Sequence, residues 1–152
     1  MRFKMEPGLG PRWVRPAAIA FLAWDLLGAY ACVRQLRVSA GAAKLTDPYA
    51  QSLYAHLSPV YDALFVGAEI CGLVGAILLL MGRPGARSWF VASLIFIALQ
   101  FADLLGATDL LAHEGLRAAA FPALVLAMGA VQVWAADRAR RQRRLAPARE
   151  RP

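Results

Sequence analysis

The chain has 152 residues, 59% of them hydrophobic and 18% charged, with a mean hydropathy of +0.48 and a formal net charge of +7. That balance is too apolar for an ordinary soluble domain, and it leaves no polar stretch long enough to form a soluble catalytic module. With only two cysteines, a disulfide framework is excluded as well.

The first apolar run covers about 13–33 and carries Trp24 and Asp25 near its centre. Its basic start and its Ala29-Tyr30-Ala31 ending have the outline of a cleavable signal peptide. A tryptophan and an aspartate inside a long apolar stretch favour a retained helix instead. A connection over 34–58 follows. Within it, Thr46-Asp47-Pro48 is a helix-start signal: a capping side chain, then a proline whose missing N–H costs nothing in the first turn. Tyr49, Leu53, Tyr54 and Leu57 recur after it at helical spacing. They predict a short amphipathic helix in the membrane interface, or else a linker continuing into the second span.

The second and third runs cover about 59–81 and 88–108, joined by a tight turn at Gly82-Arg83-Pro84-Gly85. A short loop over 109–115 leads to the fourth run, about 116–136, and to a basic segment over 137–152. Each run is close to the ~20 residues a helix needs to cross a ~30 Å hydrocarbon core. Short loops make sequential helices antiparallel neighbours. The expected fold is a single all-α domain, an integral membrane four-helix bundle with up-down-up-down topology.

Four spans put both termini and the second loop on one side. That side holds Arg2, Lys4, Arg12, Arg15, Arg83, Arg87 and seven arginines between Arg138 and Arg151. The other side holds Arg34, Arg37, Lys44 and Arg117. The positive-inside rule then predicts that both termini lie in the cytoplasm. The basic tail is read as a topology determinant lying on lipid headgroups, not as a nucleic-acid grip.

Asp25, Asp62, Glu69 and Asp103 fall inside or at the edge of these runs. An ionisable group at mid-membrane costs roughly 2.5–3.5 kcal/mol on insertion scales, so such groups face a bundle interior. Spacing agrees. Asp62, Val66, Glu69, Gly72 and Ala76 share one face of span two, and Ser93, Phe96, Gln100, Asp103 and Ala107 share one face of span three. Ala18, Asp25, Gly28 and Cys32 form the equivalent stripe in span one, while Ala119, Ala123 and Ala127 offer a small-residue face in span four. Asp25 and Glu69 fall near the midplane, with no lysine or arginine at their depth. Arg34 and Arg117 are in reach of Asp62 and Asp103.

The candidate substrate- or proton-binding residues are therefore Asp25, Glu69, Gln100 and Asp103. They are read as a seam for a shared proton or for a polar or cationic solute. The alternative is that these carboxyls bond one another, or Gln100, and only hold the bundle together.

Asp25-Leu26-Leu27-Gly28-Ala29 recurs as Asp103-Leu104-Leu105-Gly106-Ala107, which reads as the trace of a parallel two-plus-two repeat. Cys32 and Cys71 differ too much in expected depth for a disulfide. His56 and His113 lie outside the apolar runs, so haem between helices is not expected. No phosphate loop, HExxH or GxSxG occurs. Neither an enzyme nor a cofactor is expected.

Trp24-Asp25-Leu26-Leu27-Gly28, Tyr30, Gln35, the Pro48-Tyr49 and Leu53-Tyr54 loop, Gly72-Leu73-Val74-Gly75 with Leu78-Leu79-Leu80, Ser93-Leu94 and Gln100 carry a resemblance over most of the chain. It resembles a group of small four-span bacterial inner-membrane proteins of unassigned function, some labelled "sugar transporter". In that group an asparagine commonly follows the tryptophan, so the resemblance implies that an amide also works at position 25. The functional expectation is a permease-like protein, acting as a homo-oligomer because four helices are few to enclose a path. The contrasting expectation is an accessory or scaffold subunit of a larger membrane complex. In both, the lipid bilayer is the principal partner.

Overall fold

A computed structural model describes residues 11–41 and 43–145, and all its regular structure there is helical. Arg2, Lys4, Arg149 and Arg151, which entered the charge asymmetry, lie outside the described residues. Four helices are long and apolar enough to cross a membrane.

Helix α1 spans Val14–Ser39, 26 residues or roughly 39 Å at helical rise. It continues past the expected end at 33, so Arg34, Gln35 and Arg37 are carried on a rigid helix and not on a loop. Helix α2, Pro48–His56, starts as its sequence directs: the Asp47 carboxylate accepts from the Tyr49 backbone N–H at 3.1 Å, with Pro48 in the first turn. It does not run into the next span. Leu57 and Ser58 are extended, and the Ser58 hydroxyl caps α3, Pro59–Leu80, by accepting from the Tyr61 N–H at 3.3 Å.

The turn into α4, Ala86–Ala107, contains Gly82 at φ +70° and Gly85 at φ +104°, a region that side-chain-bearing residues avoid. A short helix α5, Leu110–Glu114, and a 3-10 turn, Gly115–Ala119, precede α6, Ala120–Leu145. The fourth span thus starts about four residues later than its hydropathy suggests. Pro122 suits the first turn of a helix and sets that start. The Ala-, Arg- and Gln-rich segment beyond residue 136 has high helix propensity, so α6 absorbs much of the basic tail.

Helix α3 packs against both α1 and α4, α4 packs against α6, and α6 touches α1 only sparsely. Small residues permit the close approaches. A Cβ on Gly75 would lie 2.8 Å from the Phe90 ring, which is 1% exposed and seated on the α3 backbone. A Cβ on Gly129 would lie 2.9 Å from Leu94. The alanine stripe expected on span four is not the packed one, because Ala123 and Ala127 are exposed. Ala118, Pro122, Gly129, Gln132, Ala136 and Ala139 face inward instead. In so alanine-rich a helix several small-residue faces are available, and Gln132 decides among them because lipid cannot satisfy its amide.

The hydrophobic core is concentrated at one end. Val14, Ala18 and Phe21 meet Ala76, Leu79, Phe90, Ala135 and Ala139 there, with Phe21 edge-on to Phe90 at 6.1 Å. The same end is tied by polar contacts. Trp13 Nε1 donates to Gln142 Oε1 at 3.1 Å, Arg143 donates to the Gly82 carbonyl, and Asp137 pairs with Arg141 at 2.8 Å and Arg87 at 3.5 Å. The opposite end, where α2 lies, is hollow.

Candidate solute site between the helices

A cavity of about 480 Å³ occupies that hollow half. This is within the 300–1,000 Å³ typical of small-molecule sites. Helix α1 contributes Trp24, Leu27, Gly28, Arg34 and Gln35 to its wall; α3 contributes Tyr61, Phe65 and Glu69. Gln100 and Phe101 come from α4, Phe121 and Val125 from α6, and Tyr54 reaches in from α2. Successive turns of α3 place Tyr61 near the α2 end and Glu69 deepest.

Glu69 is held by shape. A Cβ on Gly28 would lie 2.5 Å from Glu69 Oε1 and 2.8 Å from its carboxyl carbon, so the absence of a side chain on α1 makes the carboxylate's berth. Glycine here is a packing requirement, not a turn.

Asp25 lies one turn deeper and belongs to a different arrangement. It is 6% exposed, accepts from Gln132 Nε2 at 2.8 Å, and packs against Gly72, where a Cβ would come within 3.3 Å of its carboxyl carbon. Its second oxygen is buried without a partner. Nearby, the Ser93 hydroxyl is committed to the Ala68 carbonyl at 2.8 Å. Asp25 therefore clasps α1 to α6 beneath the cavity and is not part of its lining. No hydrogen bond joins Asp25 to Glu69 among the described residues, so the two carboxyls are stacked one turn apart and not directly paired.

The remaining acids sit nearer the α2 end. Asp62 accepts from Gln35 Nε2 at 3.3 Å, and Asp103 accepts from the Ser58 hydroxyl at 3.2 Å. Among the described residues neither is in an ion pair, so the arginines expected beside them give way to neutral donors. Arg34 lines the cavity at its mouth instead. Of the four residues named from sequence, Glu69 and Gln100 line the cavity, whereas Asp25 and Asp103 lie outside it. Gln132, the amide in the apolar part of α6, is the residue sequence reasoning passed over.

The repeated Asp-Leu-Leu-Gly-Ala segments are not structural equivalents. Gly28 is pressed against Glu69, while a Cβ on Gly106 would meet nothing within 4 Å. Cys32 and Cys71 are free, buried thiols. His113 stacks on the Tyr49 ring at 3.8 Å, and the Tyr49 hydroxyl donates to Asp109 at 3.3 Å, so α2 is docked on the α4–α6 connection. Among the described residues no group of three His, Cys, Asp or Glu side chains is placed to hold a metal ion. Comparison with family models, with curated proteins and with solved structures gives no match to this chain.

Proposed function

We propose that this chain is a small permease-like protein of the bacterial inner membrane, with both termini cytoplasmic, that binds a polar or cationic solute in the cavity above Asp25. The observation that supports this reading most is the berth of Glu69. A single carboxylate stands at the deep end of a cavity of ligand size that Gln35, Gln100 and Tyr61 also line, with Arg34 at the mouth the one full cation among the described lining residues. A carboxylate kept in a span at such expense is a functional-site hypothesis by default. The resemblance to small four-span bacterial proteins points the same way. A protomer with few helices around a path is proposed to act as a homo-oligomer.

Reconstitution with a pH-sensitive dye inside liposomes tests the proposal. Under an imposed cation or pH gradient, the wild type should move the dye signal and Glu69→Gln should abolish most of that movement. Equal traces from both proteins, at the level of empty liposomes, would remove ion-coupled transport through Glu69. The accessory-subunit reading would then take its place.

A further inference from the structure

The wall of the cavity is incomplete between α1 and α6. These helices touch sparsely, and among the described residues the side-chain hydrogen bonds from α1 and its N-cap Trp13 to α6 are Trp13–Gln142 and Asp25–Gln132, both at or below the cavity floor. Beyond the Asp25 clasp, Leu27 on α1 and Phe121 on α6 both line the cavity. Yet they are 67% and 65% exposed, which side chains sealing a wall would not be. Both are apolar and both belong to membrane-crossing segments, so the opening faces hydrocarbon.

A lateral, apolar opening is a poor route for a hydrated ion, because its lips offer nothing to replace a hydration shell. It suits a molecule already dissolved in the bilayer. What lies behind the opening selects further. The aromatic rings of Trp24, Tyr61, Phe65 and Phe101 line the chamber; Glu69 is the only carboxylate among its described lining residues, and the one full cation there, Arg34, stands at the mouth. Aromatic faces attract cations, most strongly where water is excluded. A buried carboxylate is stabilised by a cation that brings the charge the protein lacks at that depth.

We infer that the split between α1 and α6 is a bilayer-side entrance and that the ligand is a lipophilic monocation. Its charged head meets Glu69 among the aromatic rings, and its apolar remainder trails out between Leu27 and Phe121 into lipid. This inference rests on the solute-binding reading above and adds the ligand class and the direction of approach.

The test uses the full chain in nanodiscs, with tetraphenylphosphonium as the probe and n-alkyltrimethylammonium ions, from methyl to dodecyl, as competitors. Affinities are compared at equal concentration in the membrane. Tetraphenylphosphonium should bind saturably, and Glu69→Gln should weaken it at least tenfold. Gly28→Ala, which displaces the Glu69 carboxylate without removing it, should weaken it several-fold. Asp137→Asn, at the far end of the bundle, should leave it unchanged. Unaltered helical circular dichroism and elution would show that the variants fold.

Competitor affinity should keep rising to the dodecyl ion, because a tail longer than the chamber still has an outlet. Affinity that peaks at short chains and then falls would overturn the lateral entrance, whether protein, bound lipid or a second copy of the chain seals the split. The solute-binding reading would survive that result. Binding of tetramethylammonium without tetraphenylphosphonium would overturn the lipophilic class alone. No cation binding at all, with Glu69→Gln indistinguishable from wild type, would end this inference together with the cationic form of the solute-binding reading.

Discussion

A carboxylate buried among helices requires a donor, and Asp25 takes one from Gln132 while its other oxygen stays without a partner. Hydrogen bonds to charged groups in water-soluble proteins are worth about 1.5–3 kcal/mol, but interhelical polar contacts in membranes average only ~0.6 kcal/mol with a ceiling near ~1.7. The membrane figure governs here, since an unfolded chain in the bilayer finds other donors. A double-mutant cycle with Asp25→Leu and Gln132→Leu, each of which removes the contact, read by reversible unfolding in mixed micelles, should give a coupling of about 1 kcal/mol. Additive effects would show that the 2.8 Å contact does not clasp the helices. Asp25→Asn alone should be mild, because an amide oxygen still accepts from Gln132. Asp25 and Glu69 are legible in the sequence because charges stand out in an apolar run. Gln132 is not, since several alanine faces compete in its helix and spacing alone does not say which of them turns inward. Nor does sequence separate Asp25 from the cavity, because that depends on which residues Gly28 and Gly72 face.

At the scale of elements, the helix-start signals translate directly into structure. Asp47 and Ser58 cap α2 and α3, and each cap is followed by a proline. What the sequence left open was whether α2 merges with α3, and the extended Leu57 and Ser58 decide that it does not. Helix α2 has no buried residue of its own, so it is held by few contacts, chiefly the Tyr49 ring on His113 and the Tyr49 hydroxyl on Asp109. Elements with so little burial exchange amide hydrogens at low opening free energy. Tyr49→Ala should therefore speed exchange throughout Pro48–His56 at least severalfold and leave α3 and α4 unchanged. Tyr49→Phe, which keeps the stack, should have a smaller effect. The opposite loop should be stiffer. A Cβ on Gly82 would be strained at φ +70° and would also come within 2.8 Å of the Arg143 guanidinium. Gly82→Ala should cost about 1–3 kcal/mol, the usual range for a residue forced into a sparsely populated backbone region. An unchanged unfolding midpoint would mean that Arg143 can leave the turn without loss.

The whole molecule is a bundle closed at one end and split at the other, and the asymmetry has one physical source. Small side chains and a dense core let the helices meet near the α3–α4 turn, whereas bulky aromatics and polar side chains hold them apart near α2. Hydropathy counts apolar residues without regard to size, so it yields four spans but not the split. Charge follows the same axis. Arg83, Arg87, Arg138, Arg140, Arg141, Arg143 and Arg144 gather at the closed end, where Arg143 meets Gly82 and Arg87 meets Asp137. Arg34, Arg37, Lys44 and Arg117 belong to the open end. Orientation by basic residues retains the richer end in the cytoplasm, which would turn the open end of the cavity outward. Cys32 and Cys71, both buried, can be replaced by alanine to provide a background for single reporters. In intact cells a membrane-impermeant maleimide should then label Ser52→Cys, on exposed α2, and should spare Ser88→Cys, exposed at the closed end, until the membrane is permeabilised. The reverse pattern would invert the molecule and direct the cavity to the cytoplasm. Labelling of both sites in intact cells would contradict an odd number of spans between them, or a single orientation. The two positions are separated by α3 alone, so one crossing is all the experiment has to resolve.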